Sequence, residues 1–180
     1  AIAIGPGLGQ TDWSKQLLQT IIDVNLPIVL DADALNLLPS IKKLPHQFIL
    51  TPHPGEAARL LNSDMTTIQL DRVAAVVALH KKYGGTIVLK GKNTLICDTL
   101  QQLSECPYGN PGMATAGMGD ILTGVIVGLI AQGLNLTEAA QLGVCIHALA
   151  GDHASKQGER GLIATDLLPH LRTLANANTY

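Results

Sequence analysis

The segment of residues 110–120, which reads NPGMATAGMGD, places three glycines and one acid directly before an apolar stretch that begins near Ile121. A helix starting there would expose unpaired N–H groups and the positive end of its dipole, and both attract phosphate. The carboxylate of Asp120 would stand beside that anion, where it could take a proton from an attacking hydroxyl group. The segment therefore predicts a phosphoryl-transfer site. The alternative is a glycine-rich turn in which Asp120 is an ordinary first-turn residue.

Glycines and acids also follow the first two predicted strands. Residues 5–9, GPGLG, could admit a ligand against the backbone. Their spacing does not match the dinucleotide-binding pattern G-x-G-x-x-G, however, and a plain turn is the better interpretation. Asp31 and Asp33 end the second strand and should point the same way on extended backbone. They could hold a magnesium ion, orient a substrate hydroxyl group or cap the next helix, and capping is expected of Asp33 in any case.

Two further segments carry charged or histidine side chains at strand ends. In residues 51–56, TPHPGE, the prolines restrict the backbone around His53 and present His53 and Glu56 rigidly. That rigidity favours ligand binding, or a role near a metal, over a stiff loop without function. Residues 90–94, KGKNT, offer positive charge and exposed N–H groups that suit nucleotide phosphates. A charged hairpin tip is the alternative there and, taken alone, the better one.

The elements that must position these segments alternate between short apolar strands and helices. This alternation is typical of a mostly parallel sheet with helices on both faces, in which ligands bind at the carboxyl ends of the strands. We expect one α/β domain over residues 1–180, incomplete at its N-terminus because the chain opens within an apolar run. The patterns predict strands over residues 1–4, 27–30, 48–51, 86–90 and 94–98, the last two joined as a hairpin or a strand–loop–strand turn, and helices over residues 12–24, 34–38, 55–61, 67–83, 120–132, 137–157 and 165–176.

Composition excludes several classes of protein and partner. A hydrophobic content of 47% with 14% charged residues excludes a disordered chain. The net charge of −2, with no basic run, gives no reason to expect nucleic acid or an anionic membrane as a partner. The longest apolar run, residues 121–131, is shorter than the roughly 20 residues that a membrane span needs. Three cysteines without a C-x-x-C pair favour a reducing, cytoplasmic compartment over a zinc or disulfide framework.

The order of the motifs is more specific than any one of them. The run GPGLG, DADAL, TPHPGEAARL, VLKGKNT, NPGMATAGMGD and GLIATDLLPHL resembles the ADP/ATP-dependent NAD(P)H-hydrate dehydratases over nearly the whole chain. This resemblance implies a three-layer ribokinase-like fold and a repair enzyme, a hydro-lyase that restores NAD(P)H from its hydrate. The hydrate hydroxyl group would be phosphorylated by ADP or ATP with Mg²⁺, and phosphate would then be eliminated. Family members form homo-oligomers and are often fused to, or partnered with, an NAD(P)H-hydrate epimerase.

The resemblance also implies a role for individual residues. Asp120 matches the catalytic base, and Gly117 and Gly119 match the anion hole. Gly7, His53 and Asp120 match positions that bind the hydrate, while Glu56 resembles a magnesium-associated carboxylate. The adenine-nucleotide site corresponds to Lys90, Gly91, Lys92, Asn93, Thr94 and Gly119, with Lys92 and Asn93 standing where the family more often has Ala and Gly.

Three other functions stay open on the sequence. A ribokinase-like kinase for a small vitamin-precursor alcohol would also have glycines followed by an acid at the position of Asp120. Such a kinase would not usually combine TPHPGE with NPGMATAGMGD. A nucleotide-binding module without chemistry is compatible with the same residues. A dehydrogenase is the third alternative, and the glycine spacing after the first strand counts against it.

Overall fold

The computed structural model describes residues 1–176 and contains a six-stranded sheet whose spatial order is the order of the chain. The first four strands pair in parallel, and the last three form an antiparallel meander. The predicted mostly parallel sheet and the hairpin between its fourth and fifth strands are therefore confirmed. The strands are β1 (Ile2–Ile4), β2 (Ile28–Leu30), β3 (Phe48–Leu50), β4 (Thr86–Leu89), β5 (Thr94–Cys97) and β6 (Leu103–Cys106).

Helices cover both faces of this sheet, giving three layers. Side chains alternate along a strand, so Ile28 and Leu30 of β2 pack against one helical layer and Val29 packs against the other. The first layer contains α1 (Asp12–Ile22), α2 (Ala32–Leu37), α3 (Pro54–Leu61), α4 (Met65–Leu70) and α5 (Arg72–Tyr83), and the second contains α6 (Met118–Ala131) and α7 (Leu136–Ala154), with α8 (Leu167–Ala175) packed on α7.

Capping residues explain where several helices begin. Thr11 caps α1, because its side chain accepts from the N–H of Ser14. The predicted helix over residues 67–83 is wrong, because the chain forms two helices there. The side chain of Asp64 accepts from Thr67 and begins α4, and the side chain of Asp71 accepts from Ala74 and begins α5.

The start of α2 also differs from the prediction. Asp31, and not Asp33, is its N-cap residue, and the Asp31 side chain does not cap the helix. Asp33 lies in the first turn and accepts instead from the N–H of Gly9 at 2.8 Å. The two carboxylates therefore face different partners, contrary to the expectation that they point the same way.

The remaining differences concern element ends and one missed strand. Strand β6 has only one buried residue, so it lacks the apolar run that marks the other strands. Helix α7 ends at Ala154 and is continued by a 3₁₀ turn, Ser155–Gln157. Within residues 1–176, no helix has the length and apolar character that crossing a membrane requires.

Candidate active site at the carboxyl ends of β2, β3 and β4

An ion pair joins the ends of β2 and β4. The Nζ atom of Lys90 lies 2.6 Å from Oδ1 of Asp31, and the Asp31 side chain is almost fully buried while that of Lys90 is 17% exposed. The hydroxyl group of Thr123, in the second turn of α6, donates to Oδ2 of Asp31 at 2.7 Å. Both carboxylate oxygens thus have a donor, as a buried carboxylate requires.

His53 and Glu56 follow β3, the strand that lies between β2 and β4. They form a capping box for α3: Nδ1 of His53 accepts from the N–H of Gly55 and of Glu56, and Oε2 of Glu56 accepts from the N–H of His53 at 2.7 Å. The remaining Glu56 oxygen, Oε1, lies 3.4 Å from Nε2 of His53. Lys90 Nζ is 3.8 Å from Oε2 of Glu56. The capping box thus fixes the side chains of His53 and Glu56 to the start of α3, and the glutamate faces the Lys90 ammonium.

The N-terminus of α6 meets the same ammonium group. A β-carbon added at Gly119 would lie 3.2 Å from Lys90 Nζ, so the glycine leaves room for the lysine. Gly117, the N-cap, has a left-handed backbone (φ +86°) and no side chain that could cap the helix, which leaves first-turn N–H groups available to an anion. Asp120 lies in that first turn and is exposed to solvent.

The Lys90–Thr94 loop is held from below by Arg72, a residue that the sequence did not single out. Its guanidinium group donates to the carbonyl oxygens of Leu89, Lys90 and Asn93 and lies where a side chain on Gly91 would stand. Burial lowers the pKa of Arg72 from its ordinary value, an effect that the nearby Glu105 carboxylate opposes.

Asn93 fits the loop for a conformational reason. Its φ of +53° is left-handed, which suits glycine and is also tolerated by asparagine. Its side-chain amide donates to the carboxylate of Glu105. Lys92 and Asn93 line an open depression of about 400 Å³ together with Arg72 and Glu105. Asparagine can thus occupy this left-handed position of the turn.

Gly7 lies on the far side of Asp31, in the turn after β1. Its φ is +67°, and a β-carbon added there would meet no atom within 4 Å. The turn is fixed to α2 by the Gly9–Asp33 hydrogen bond described above. The side chains of Asp31, Thr123, Glu56 and His53 around the Lys90 ammonium form the Lys90 cluster. A ligand could approach the backbone of Gly7, although no hydrogen bond or ion pair identified within residues 1–176 joins Gly7 to this cluster.

Asp152 of α7 holds the loop that leads into α6. Its carboxylate accepts from the N–H of Gly109 and from the side-chain amide of Asn110, both at 3.0 Å. Met113 fills the space that a side chain on Gly151 would occupy. The NPGM segment is thereby fastened to α7, which fixes the approach to the glycines of α6. A lone aspartate near the end of a long helix gave no sign of this role in the sequence.

His147 of α7 supports α6 from beneath. It is buried, and its Nε2–H group donates to the carbonyl oxygen of Met118 at 3.0 Å. Burial lowers the pKa of His147 from 6.5 to about 4, so the neutral ring is the form that packs here at neutral pH. The hydrogen bond attaches the first residue of α6 to α7.

The low pKa of His147 makes stability depend on pH. Between pH 6.5 and 4 the unfolded chain binds a proton that the folded chain does not, so stability is present above that window and lost as the pH falls through it. Between pH 7 and pH 5 we expect the free energy of unfolding to fall by about 2 kcal/mol. Urea titrations of wild type and His147→Gln measure this. An equally steep loss in the variant would contradict it.

The structure thus brings together only some of the residues predicted for the site. Lys90, Glu56, His53 and Gly119 lie together, and Asp31, which the sequence offered as a magnesium ligand, an orienting residue or a cap, joins them. Thr123 bonds to Asp31 and Arg72 to the backbone of the Lys90 loop, and the sequence assigned neither of them. Gly7 stands apart from the Lys90 cluster. The loop residues beyond Lys90 extend away from it toward the antiparallel edge of the sheet, namely Gly91, Lys92, Asn93 and Thr94.

The described side chains do not form a magnesium cage. Within residues 1–176, no three His, Cys, Asp or Glu side chains lie close enough to hold a metal ion. Of the Glu56 carboxylate, Oε2 is already bonded to the backbone of α3, which leaves Oε1. Because Mg²⁺ in phosphoryl-transfer sites is commonly held by one or two carboxylates and the substrate's phosphates, this oxygen fits an ion delivered with a nucleotide but not a resident one.

Comparison with known proteins gives a consistent family. Residues 1–172 match the Carb_kinase family, described as NAD(P)H-hydrate dehydratase. The chain is 56% identical over 176 residues to the bifunctional NAD(P)H-hydrate repair enzyme of Coxiella burnetii, covering 97% of this chain but 36% of that protein. It is 39% identical to the ADP-dependent (S)-NAD(P)H-hydrate dehydratase of Neisseria meningitidis, covering 99% of this chain and 64% of that one.

A solved structure is similar in fold as well. The ADP/ATP-dependent NAD(P)H-hydrate dehydratase of Bacillus subtilis, crystallised with ATP and Mg²⁺ and soaked with CoA, superposes with a TM-score of 0.88 at 30% identity. The superposition covers 96% of this chain and 64% of that one. The chain thus spans about a third of the length of the bifunctional relative and about two thirds of the two single-function ones.

Proposed function

The chain belongs to the NAD(P)H-hydrate dehydratase family, and we propose that it takes part in the ADP- or ATP-dependent dehydration of the S form of NAD(P)H hydrate back to NAD(P)H. The observation that carries the proposal is the Lys90 ammonium lying beside the N-terminus of α6, which also bears Asp120. An ammonium group and a helix N-terminus side by side attract the phosphates of a nucleotide, and a carboxylate one residue further on can serve as a base.

The reaction proceeds in two steps at this site. The hydrate hydroxyl oxygen attacks the terminal phosphorus of the nucleotide while Asp120 takes its proton, and the P–O bond to the leaving AMP (from ADP) or ADP (from ATP) breaks. Loss of the new phosphate group, together with a ring proton, then forms the ring double bond of NAD(P)H. Lys90 and the N–H groups near Gly117 and Gly119 hold the transferred phosphoryl group, because such a transfer depends mainly on positioning and charge stabilisation.

The remaining groups bind and orient the two substrates. His53 and Gly7 face the hydrate, and Gly91, Lys92, Asn93 and Thr94 bind the nucleotide together with Lys90. Oε1 of Glu56 is the protein oxygen that would hold a Mg²⁺ ion bound to the nucleotide, and that ion would neutralise phosphate charge. We further propose that the protein works as a homo-oligomer in the cytoplasm, and that an NAD(P)H-hydrate epimerase is fused to it or acts beside it, in keeping with the bifunctional relative.

The direct test mixes the purified chain with hydrated NADH, Mg²⁺ and ADP and follows recovery of the reduced-nicotinamide absorbance. We expect recovery that requires nucleotide and releases one phosphate per NADH formed. A stable phosphoester without NADH would identify a small-molecule kinase instead. A rise in melting temperature with ADP but no turnover, in this chain and in a longer protein that contains it, would identify a nucleotide-binding module.

A further inference from the structure

We infer that Asp31 is a positioning residue that holds the Lys90 ammonium at the N-terminus of α6, where the nucleotide phosphates bind. The inference rests on the proposed function for the identity of the ligand. It gives Asp31 a role other than the magnesium, hydroxyl-orienting or capping roles that the sequence offered, and it concerns Thr123, to which neither the sequence motifs nor the comparisons assign any role.

The placement of Lys90 needs a counter-charge. A helix N-terminus carries a partial positive charge, so an ammonium group beside it is repelled. Lys90 lies there nonetheless, with Nζ 3.2 Å from the position of a β-carbon on Gly119. The Asp31 carboxylate, 2.6 Å from Nζ and within 3.7 Å of that same position, supplies the opposite charge. Without it, a flexible lysine chain would carry its ammonium toward solvent.

Asp31 is itself oriented by the helix that it serves. Thr123 donates to Oδ2 and leaves Oδ1 for Lys90, so one carboxylate ties β2, β4 and α6 together. Lys90 is 59 positions and Thr123 is 92 positions from Asp31 in the chain, and both bond to its side chain. A movement of α6 relative to the sheet would therefore move Lys90 with it, which keeps the ammonium in register with the N–H groups of the same helix.

The ammonium group keeps donors for a ligand. A lysine has three N–H donors, and Asp31 accepts from one of them. The nearest Glu56 oxygen is 3.8 Å away, beyond hydrogen-bonding distance. The Lys90 side chain is also 17% exposed, so an anion can reach it. An ion pair that only stabilised the fold would not need to lie beside a helix N-terminus or to leave N–H donors of the lysine unused.

The test separates phosphate recognition from general damage. ADP and adenosine share the base and ribose and differ in their phosphates, so a misplaced ammonium weakens binding of ADP alone. In calorimetric titrations of Asp31→Asn we expect about 10-fold weaker ADP binding, with adenosine binding unchanged within about 2-fold. In turnover we expect kcat/KM for ADP to fall by about 10- to 100-fold, as misplacement of a substrate-positioning group by about 1 Å can cause.

A double-mutant cycle shows whether Asp31 acts through Lys90. Lys90→Met removes the ammonium, and adding Asp31→Asn to it should cost less than about 3-fold more in kcat/KM, because the group that Asp31 positions is already gone. The matched control is Asp23→Asn, which breaks the exposed Lys43–Asp23 ion pair of 2.9 Å and should leave both ligands unaffected.

Several results would overturn the inference. Unchanged or tighter ADP binding in Asp31→Asn would mean that the carboxylate is only a nearby negative charge. Equal losses of ADP and adenosine binding, or additive losses in the double-mutant cycle, would mean that Asp31 has a structural role.

If Asp31→Asn does not fold, Thr123→Val keeps the ion pair and loses only the orienting hydroxyl group. It should then weaken ADP binding by about 3-fold while sparing adenosine, and equal binding to wild type would count against the inference. If neither this chain nor a longer protein that contains it turns over the hydrate, but Asp31→Asn still weakens ADP binding and spares adenosine binding, the proposed reaction is refuted and this inference stands.

Discussion

Asp120→Asn is expected to reduce the rate of NADH recovery by about 10³-fold, the middle of the range that general acid–base catalysis contributes. Asparagine has nearly the same shape and keeps the hydrogen-bonding capacity of the site, but it cannot accept a proton from the hydrate hydroxyl group. Because Asp120 is exposed in the first turn of α6, the exchange should neither disturb packing nor move Lys90. The binding of ADP should therefore stay within about 3-fold of wild type, since charge at a helix start contributes modestly.

The chain offers a close control for this experiment. Asp12 is also an exposed acid in the first turn of a helix, α1, and its identified ion pair is with Lys15 of the same helix. Asp12→Asn makes the same chemical change to the helix dipole and should leave turnover unchanged. Turnover like that of wild type in Asp120→Asn would refute its role as the base. Equal losses in both variants would point to helix stability instead.

The sequence predicted the fold well because short apolar strands leave few alternatives. Helices cover both faces of a parallel sheet, so every residue of a strand such as residues 28–30 or 48–50 is buried and apolar. Strand β6 was missed for the opposite reason: it lies at an antiparallel edge with three of its four residues not buried, and its composition is that of a loop. The break between α4 and α5 at Asp71 was missed because apolar residues recur at helical spacing on both sides of it. The break is set by one side chain, that of Asp71, which caps α5.

The site was predictable where function depends on local motifs and not where it depends on contacts across the fold. The glycines before α6 and the prolines around His53 act within a few residues, and their effects can be read from spacing. The sequence named Asp31 as a possible magnesium ligand, hydroxyl-orienting residue or helix cap, but its partners Lys90 and Thr123 lie on other elements and could not be read from its neighbours. Arg72 was not noticed because its three acceptors are backbone carbonyls, which every sequence contains.

Gly5→Ala is expected to lower the free energy of unfolding by more than about 4 kcal/mol, which places it among the rare severe substitutions. Gly5 has a φ of +135°, which side chains rarely adopt, and a β-carbon there would lie 1.7 Å from the carbonyl oxygen of Asp31. That obstacle is backbone and cannot rotate away. Relief requires β1 and β2 to separate at the Ile4–Asp31 hydrogen bond, which is the point where Asp31 turns toward Lys90.

Alanine substitutions at two other glycines serve as controls, because they add a methyl group without this clash. Gly124 lies in α6 with no atom within 4 Å of an added β-carbon, and Gly124→Ala should stabilise the protein by roughly 0.5–1 kcal/mol through helix propensity. Gly7→Ala has the left-handed backbone (φ +67°) without the clash and should cost about 1–2 kcal/mol. Urea unfolding followed by circular dichroism, with soluble yield for any variant that does not fold, ranks the three. If Gly5→Ala unfolds at the same urea concentration as Gly7→Ala, β1 is not locked against Asp31 as described, and the Asp31 carboxylate must be held in place by its side-chain partners alone.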